Sequence, residues 1–386
     1  MTTTEKKALN ANLLYSIFDS ANMHRWNDHL RTMDLTELDK QAHKAAIAWV
    51  LGKYEESDGT EIDWTKIIEH TLFSFIQRLV LTDLKPQVFH RIITEKFDEV
   101  NRYVISEFDR NVPDSPTEFR ERLKDYLWSD KKSKEDDIIR AAHYLATRWE
   151  FNMIYDVNRP IYGIEHTRVE IDEQIYQHKD LIGVKKVVED RRAFNFIDLV
   201  GQLRFQQRWA RTPRIPKTTV LGHSLMVADM IYLSDIDMCS DPKQIYNDFY
   251  TALFHDLPEV LTKDVISPVK VNVDGLAGLL ESYEHELIDS KIMPLIPESW
   301  HDELRMMVYN PFIDFPSDGQ YGGRRGRDIK TCDLLAAFME AHISICYGVS
   351  SKTLVEGKRE LVLKMEKNGK GIDAKGLVKD LEQMDI

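Results

Sequence analysis

His255 and Asp256 close the apolar run "FYTALF", and Glu259 follows three residues after the aspartate. Charge-capable groups set against a buried face need a partner, because an unpaired carboxylate is costly in an apolar setting. Two more side chains fit the same need: His223 at the head of "HSLMVADMIYL" and Asp333 in "KTCDLLAAF". Imidazole nitrogen and carboxylate oxygen together suit a first-row divalent cation with open coordination positions. His223, His255, Asp256 and Asp333 are therefore the candidate ligands of one metal ion (Mn, Co, Fe or Zn). Such an ion lowers the pKa of water and makes it a nucleophile near neutral pH. Glu259 lies four residues past His255 on what the periodicity predicts to be one helical face, and is the candidate to take or relay a proton. Asp264, where that helix is expected to end, is the candidate to position substrate or water.

A phosphate would have to be held as well as attacked. Arg204, Arg208, Arg211, Arg214 and Lys217 crowd the approach to His223, and Arg324, Arg325, Arg327 and Lys330 precede Asp333. Arginine offers phosphate oxygens a planar fork. The chain as a whole is acidic, with 51 Lys and Arg against 64 Asp and Glu for a net charge of −13. That balance disfavours sequence-blind nucleic-acid binding, while its local inversion beside the candidate ligands favours a small phosphate ester. Arg208, Lys330 and Trp209, which could stack on a base or pack on a sugar, are the candidate substrate contacts. A second His-Asp pair, His301-Asp302, reads as an exposed helix start, with Ser299 as N-cap three residues before Asp302.

The elements that must position these groups are helices. Runs such as "IIEHTLFSFIQRLV", "IIRAAHYLATRWEFNMIY" and "LLAAFMEAHISICYGV" carry apolar residues at three- and four-residue spacing, and strand signals are scarce. The fold class expected is all-α, with a domain at 1–165, a charge-dense connecting segment at 166–192 and a domain at 193–386. An internal repeat supports the division. Arg25-Trp26 answers Arg208-Trp209, His43 answers His223 and Leu81-Thr82 answers Leu261-Thr262. "DIIRAAHYLATRWE" answers "RDIKTCDLLAAFME", and the interval from His43 to Thr82, 39 residues, equals that from His223 to Thr262. In this register His255, Asp256, Glu259 and Asp333 fall on Phe75, Ile76, Leu79 and His143. The upstream copy thus lacks the metal set, and Arg25-Trp26 is either core packing or the remnant of a second nucleotide site.

The order H…HD…D resembles that of the HD-domain metal-dependent phosphohydrolases. "RW", "GHSLMVA", "HDLPEVLTKDVISPVK" and "KTCDLLAA" resemble most closely the bacterial 5′-deoxynucleotidase branch, over roughly residues 195 to 345. The resemblance implies tandem HD-domain helical bundles, the first degenerate. It also implies nucleotide contacts from Arg208 and Trp209, catalytic assistance from Glu259, and a sugar- or nucleophile-holding role for Asp264. Gly222 stands where that branch has Glu, Lys263 where it has Gly, and "PSDGQYGGRRGRD" is an insert.

The expected activity is hydrolysis of a (deoxy)nucleoside 5′-monophosphate to nucleoside and phosphate. The alternatives are a deoxynucleoside triphosphate triphosphohydrolase, a cyclic- or oligonucleotide phosphodiesterase, and a non-catalytic nucleotide sensor. The halves are expected to pair as an intramolecular pseudo-dimer. Three cysteines without zinc spacing, no secretory-type start and no apolar run of about 20 residues lead to a cytoplasmic protein with no membrane or stable nucleic-acid partner.

Overall fold

A computed structural model describes residues 6–82, 86–263, 276–368 and 371–386. These residues form helices and turns, and their only β-type pairings are isolated bridges. Six helices matter for the site. Upstream are α1 (Glu37–Ser57), α2 (Trp64–Leu81) and α3 (Lys134–Asn158). Downstream are α4 (Val220–Met238), α5 (Pro242–Phe254) and α6 (Gly326–Cys346). Their starts are set by local chemistry. Thr36, Asp63, Thr219 and Asp241 each accept a backbone N–H of the first turn, and Ser133 with Asp136 forms a capping box.

α1 packs on α2 and α3, α4 packs on α5 and α6, and α1 packs on α4. The apolar interior runs without a break through both halves. Trp49 of α1 is fully buried and lies edge-on to Phe254 and Trp300; its Nε1 donates to the Tyr246 hydroxyl at 2.8 Å.

The two halves repeat a set of details. Antiparallel bridges pair His24 with Thr36 and Gln207 with Thr219. Trp26 and Trp209 both take φ 54°. Arg25 and Trp26 converge on Glu150 as Arg208 and Trp209 converge on Glu340. The helix caps correct one pairing drawn from the sequence. His223 is the fourth residue past its N-cap, Thr219, and the fourth past Thr36 is Lys40, not His43. His43 is buried, with its Nε2 donating to the Ile197 carbonyl at 2.9 Å.

Segment 166–192 is not an open connection. It carries helices Ile164–Tyr176 and Ile182–Glu189, which pack on α3 and α1. Gly183 is needed there, because a Cβ would lie 2.7 Å from the Leu51 backbone. His301 does open a helix and Asp302 is exposed, but the cap residue is Trp300 rather than Ser299. A 3-10 turn over Glu298–Trp300 delays the start.

Candidate metal centre

α4 presents His223 from its first turn, α5 ends against His255-Asp256, and α6 supplies Asp333. One donor atom from each of His223, His255 and Asp256 lies within 4.8 Å of the others. Asp333 joins them through its Oδ1, 2.9 Å from His223 Nε2. Three of the four candidate ligands thus cluster directly, and the fourth, Asp333, reaches the group through His223.

The ligand tautomers are set from behind. His255 Nδ1 donates to the Ala252 carbonyl at 2.7 Å, which leaves its Nε2 facing Asp256 Oδ2 at 3.3 Å. That buried nitrogen has no hydrogen-bond partner among the described residues. A ring nitrogen held in this way beside carboxylates fits a divalent cation, which would take the place of its proton. His223 Nδ1 lies 3.5 Å from Glu340 Oε1.

Burial opposes every charge here, so the charges depend on one another. Against burial, His255, Arg208 and His223 bring Asp256 down to about 2. Lys330 and the two histidines hold Asp333 well below the ordinary carboxylate range. Asp256 and Asp333 raise His255 despite its burial.

Glu340 was not anticipated. It is buried, accepts from Trp209 Nε1 at 2.8 Å, Thr218 Oγ1 at 2.6 Å and Arg208 Nε at 3.3 Å, and stands behind His223. Burial opposes its charge, but Arg208, Arg214 and His223 keep it ionised. The available signal was its place seven residues past Asp333, two turns along the same helix face.

Several sequence expectations need correction. His255 and Glu259 do not share a helix: α5 ends at Phe254, residues 255–258 turn, and a short helix spans Glu259–Thr262. Pro258 has no N–H to continue α5 and sits at the cap of the new turn. Glu259 is nonetheless near enough to help raise the pKa of Arg208. Asp264 lies outside the described residues.

Most of the basic residues serve the fold. Arg204 is buried in the upstream half, bound to Glu150 Oε1 at 2.9 Å and to the Asp39 carbonyl at 3.0 Å. Arg214 turns back onto Pro216 and Thr218. Arg324 donates to the Met306, Ile313 and Asn310 carbonyls, Arg325 pairs with Asp235, Asp248 and Asp328, and Arg327 pairs with Asp314. Arg208 and Lys330 lie at the centre. Arg208 Nη1 is 3.5 Å from Asp256 Oδ2, and Lys330 Nζ is 2.6 Å from Asp333 Oδ2 and 4.3 Å above the Phe312 ring. Trp209 is half-buried beside them.

Residues 200–316 match the family described as HD domain. The chain is 22% identical over 181 residues to a 5′-deoxynucleotidase of Pasteurella multocida, covering 44% of this chain and 84% of that protein. It is 26% identical over 172 residues to a 5′-deoxynucleotidase of Klebsiella pneumoniae (44% and 82%). To the 5′-deoxynucleotidase YfbR of Salmonella typhi it is 23% identical over 177 residues (45% and 84%).

Proposed function

We propose that the chain, whose residues 200–316 match the HD domain, is a hydrolase of the HD superfamily that cleaves the phosphate ester of a (deoxy)nucleoside 5′-monophosphate. The observation that carries this reading is the convergence of His223, His255 and Asp256, with Asp333 against His223 and with Arg208 and Lys330 beside the carboxylates. His223, His255, Asp256 and Asp333 would hold one divalent cation. When bound, it supplies Lewis acidity to a phosphoryl oxygen and to water.

The remaining steps belong to the chain's own side chains. Arg208 and Lys330 bind the phosphate and offset charge that builds on it. Trp209, fixed by Glu340, packs against the nucleoside. Glu259 moves a proton between water and the leaving oxygen. Glu340 positions His223 and Arg208 together. The named 5′-deoxynucleotidases support the monophosphate over the triphosphate, cyclic or oligonucleotide alternatives.

We also infer that the upstream half is a second copy of the domain without its metal set. The repeated bridges, the paired φ values and the matching Glu150 and Glu340 support this. The α1–α4 contact then plays the part of a dimer interface inside one chain.

A screen of nucleoside mono-, di- and triphosphates and cyclic nucleotides with Mn²⁺, Co²⁺, Fe²⁺, Zn²⁺ or Mg²⁺ tests the activity. Orthophosphate release from monophosphates is expected, lost in Asp256→Asn. Tripolyphosphate or linear nucleotide as the product, or binding without turnover under every metal, would replace this reading.

A further inference from the structure

The upstream half holds a cluster of buried lysines that no carboxylate of the described residues pairs with. Lys40 is fully buried and Lys44 is 2% exposed. Lys40 Nζ lies 2.8 Å from His143 Nδ1, and Lys44 Nζ lies 2.5 Å from Ser74 Oγ. Lys131 Nζ sits 4.2 Å over the Tyr126 ring. No carboxylate of the described residues pairs with any of these three lysines.

The nearby acids are engaged elsewhere. Glu37 binds Arg25 at 2.8 Å and Gln41 at 2.6 Å, and lies 3.8 Å from Arg78. Glu150 binds Arg25, Arg204 and Trp26, and Asp136 binds His70. Burial lowers the pKa of Lys40, Lys44 and Lys131, and each is further lowered by a neighbouring cation. Among the cluster's members, Ser74, Arg78, Lys131 and His143 are partly exposed, so the group opens to solvent.

The placement is also informative. Lys40 is the fourth residue past Thr36, and His143 stands seven before Glu150. His223 is the fourth past Thr219, and Asp333 stands seven before Glu340. Lys40–His143 therefore stands where the downstream half joins His223 to Asp333. A lysine and a histidine, both nitrogen donors, thus stand in place of the His–Asp pair.

We propose that this cradle of Lys40, Lys44, Lys131, His143 and Arg78 binds a phosphate oxyanion without hydrolysing it. A phosphate dianion brings the missing negative charge and enough acceptor oxygens for several ammonium and guanidinium donors at once. The site binds what the downstream half is proposed to release or cleave, but it does not depend on that reading.

The test uses full-length, chelator-treated Asp256→Asn protein, so that no nucleotide is consumed. Orthophosphate is titrated calorimetrically and in thermal melts, against chloride at matched ionic strength. Saturable binding is expected, weakened at least ~10-fold by Lys44→Met and by Lys131→Met. Lys131 is partly exposed, so its variant decides the matter if Lys44→Met does not fold. Repeating the titration with a nucleoside 5′-monophosphate identifies the source. Tighter binding than orthophosphate points to a nucleotide, and equal binding points to free phosphate. Chloride reproducing the effect, no saturable binding, or affinity unchanged in Lys131→Met would overturn the proposal.

Discussion

Glu340 shows how one buried side chain organises several working ones. Its carboxylate touches Trp209, Thr218 and Arg208 and backs His223, so removing its charge disturbs Arg208 and His223 together, the proposed phosphate contact and the proposed metal ligand. Glu340→Gln keeps the shape and loses the charge. The expected outcome is a fall of about 10- to 100-fold in metal affinity, with a parallel fall in kcat/KM. Metal titration and steady-state kinetics measure the two. Added metal that restores kcat in the variant would place the defect at His223 rather than at Arg208. The four candidate ligands could be picked out by residue type and order because each polar group stands in or directly after an apolar helical run. Glu340 was harder to read, since a lone acid in "AAFMEAH" carries no mark of what it will touch.

At the scale of elements, the first turns of α1 and α4 face each other. A Cβ at Gly222 would lie 2.7 Å from Asp39 Oδ1, which also accepts from Thr219 Oγ1 at 2.5 Å. The glycine that departs from the related pattern is thus the space that Asp39 of the other half fills. Gly222→Glu is expected to cost about 1–3 kcal/mol through overpacking, with carboxylate facing carboxylate as an added penalty. Equilibrium urea unfolding measures it, and Asp39→Ala in the same chain should recover part of the loss.

A pH effect arises on α1. Burial lowers Lys44 from 10.5 to about 7, and Lys131 to about 8. Between those values and 10.5 the unfolded chain binds more protons than the native one, so stability rises with pH. One such lysine contributes a slope of up to about 1.4 kcal/mol per pH unit. In phosphate-free buffer, urea midpoints are expected to climb from pH 7 to 8.5, and to climb less in Lys44→Met. The window stops there because the Cys332 thiol and Tyr232, both raised by burial, act in the opposite sense once their unfolded forms ionise.

Over the whole molecule, the halves share one apolar interior rather than two. Trp49 is enclosed by Phe254, Trp300 and Tyr246, and Arg204 crosses to Glu150. The chain is expected to unfold in a single cooperative step. A fragment of residues 193–386 alone, with its α4 face and the Trp49 pocket uncovered, is expected to be insoluble or inactive, and co-expression with 1–192 should rescue it. Calorimetry and light scattering report both. A stable, active downstream fragment would show that the halves are independent. No described helix is long and apolar enough to cross a membrane.

Residue type and spacing by themselves determined the helical class and singled out the candidate His/Asp set, because helical period and ligand chemistry are local properties of the chain. Tertiary structure decided which cations work. Arg204, Arg214, Arg324, Arg325 and Arg327 look alike in sequence to Arg208 and Lys330, yet they pair with carboxylates or donate to carbonyls elsewhere in the fold. It also decided that α5 stops before Glu259, that Lys40 stands as far past its helix cap as His223 does, and that Glu340 lies behind His223. A charge's role depends on which opposite charges lie within a few ångströms, and those neighbours are brought together only by packing.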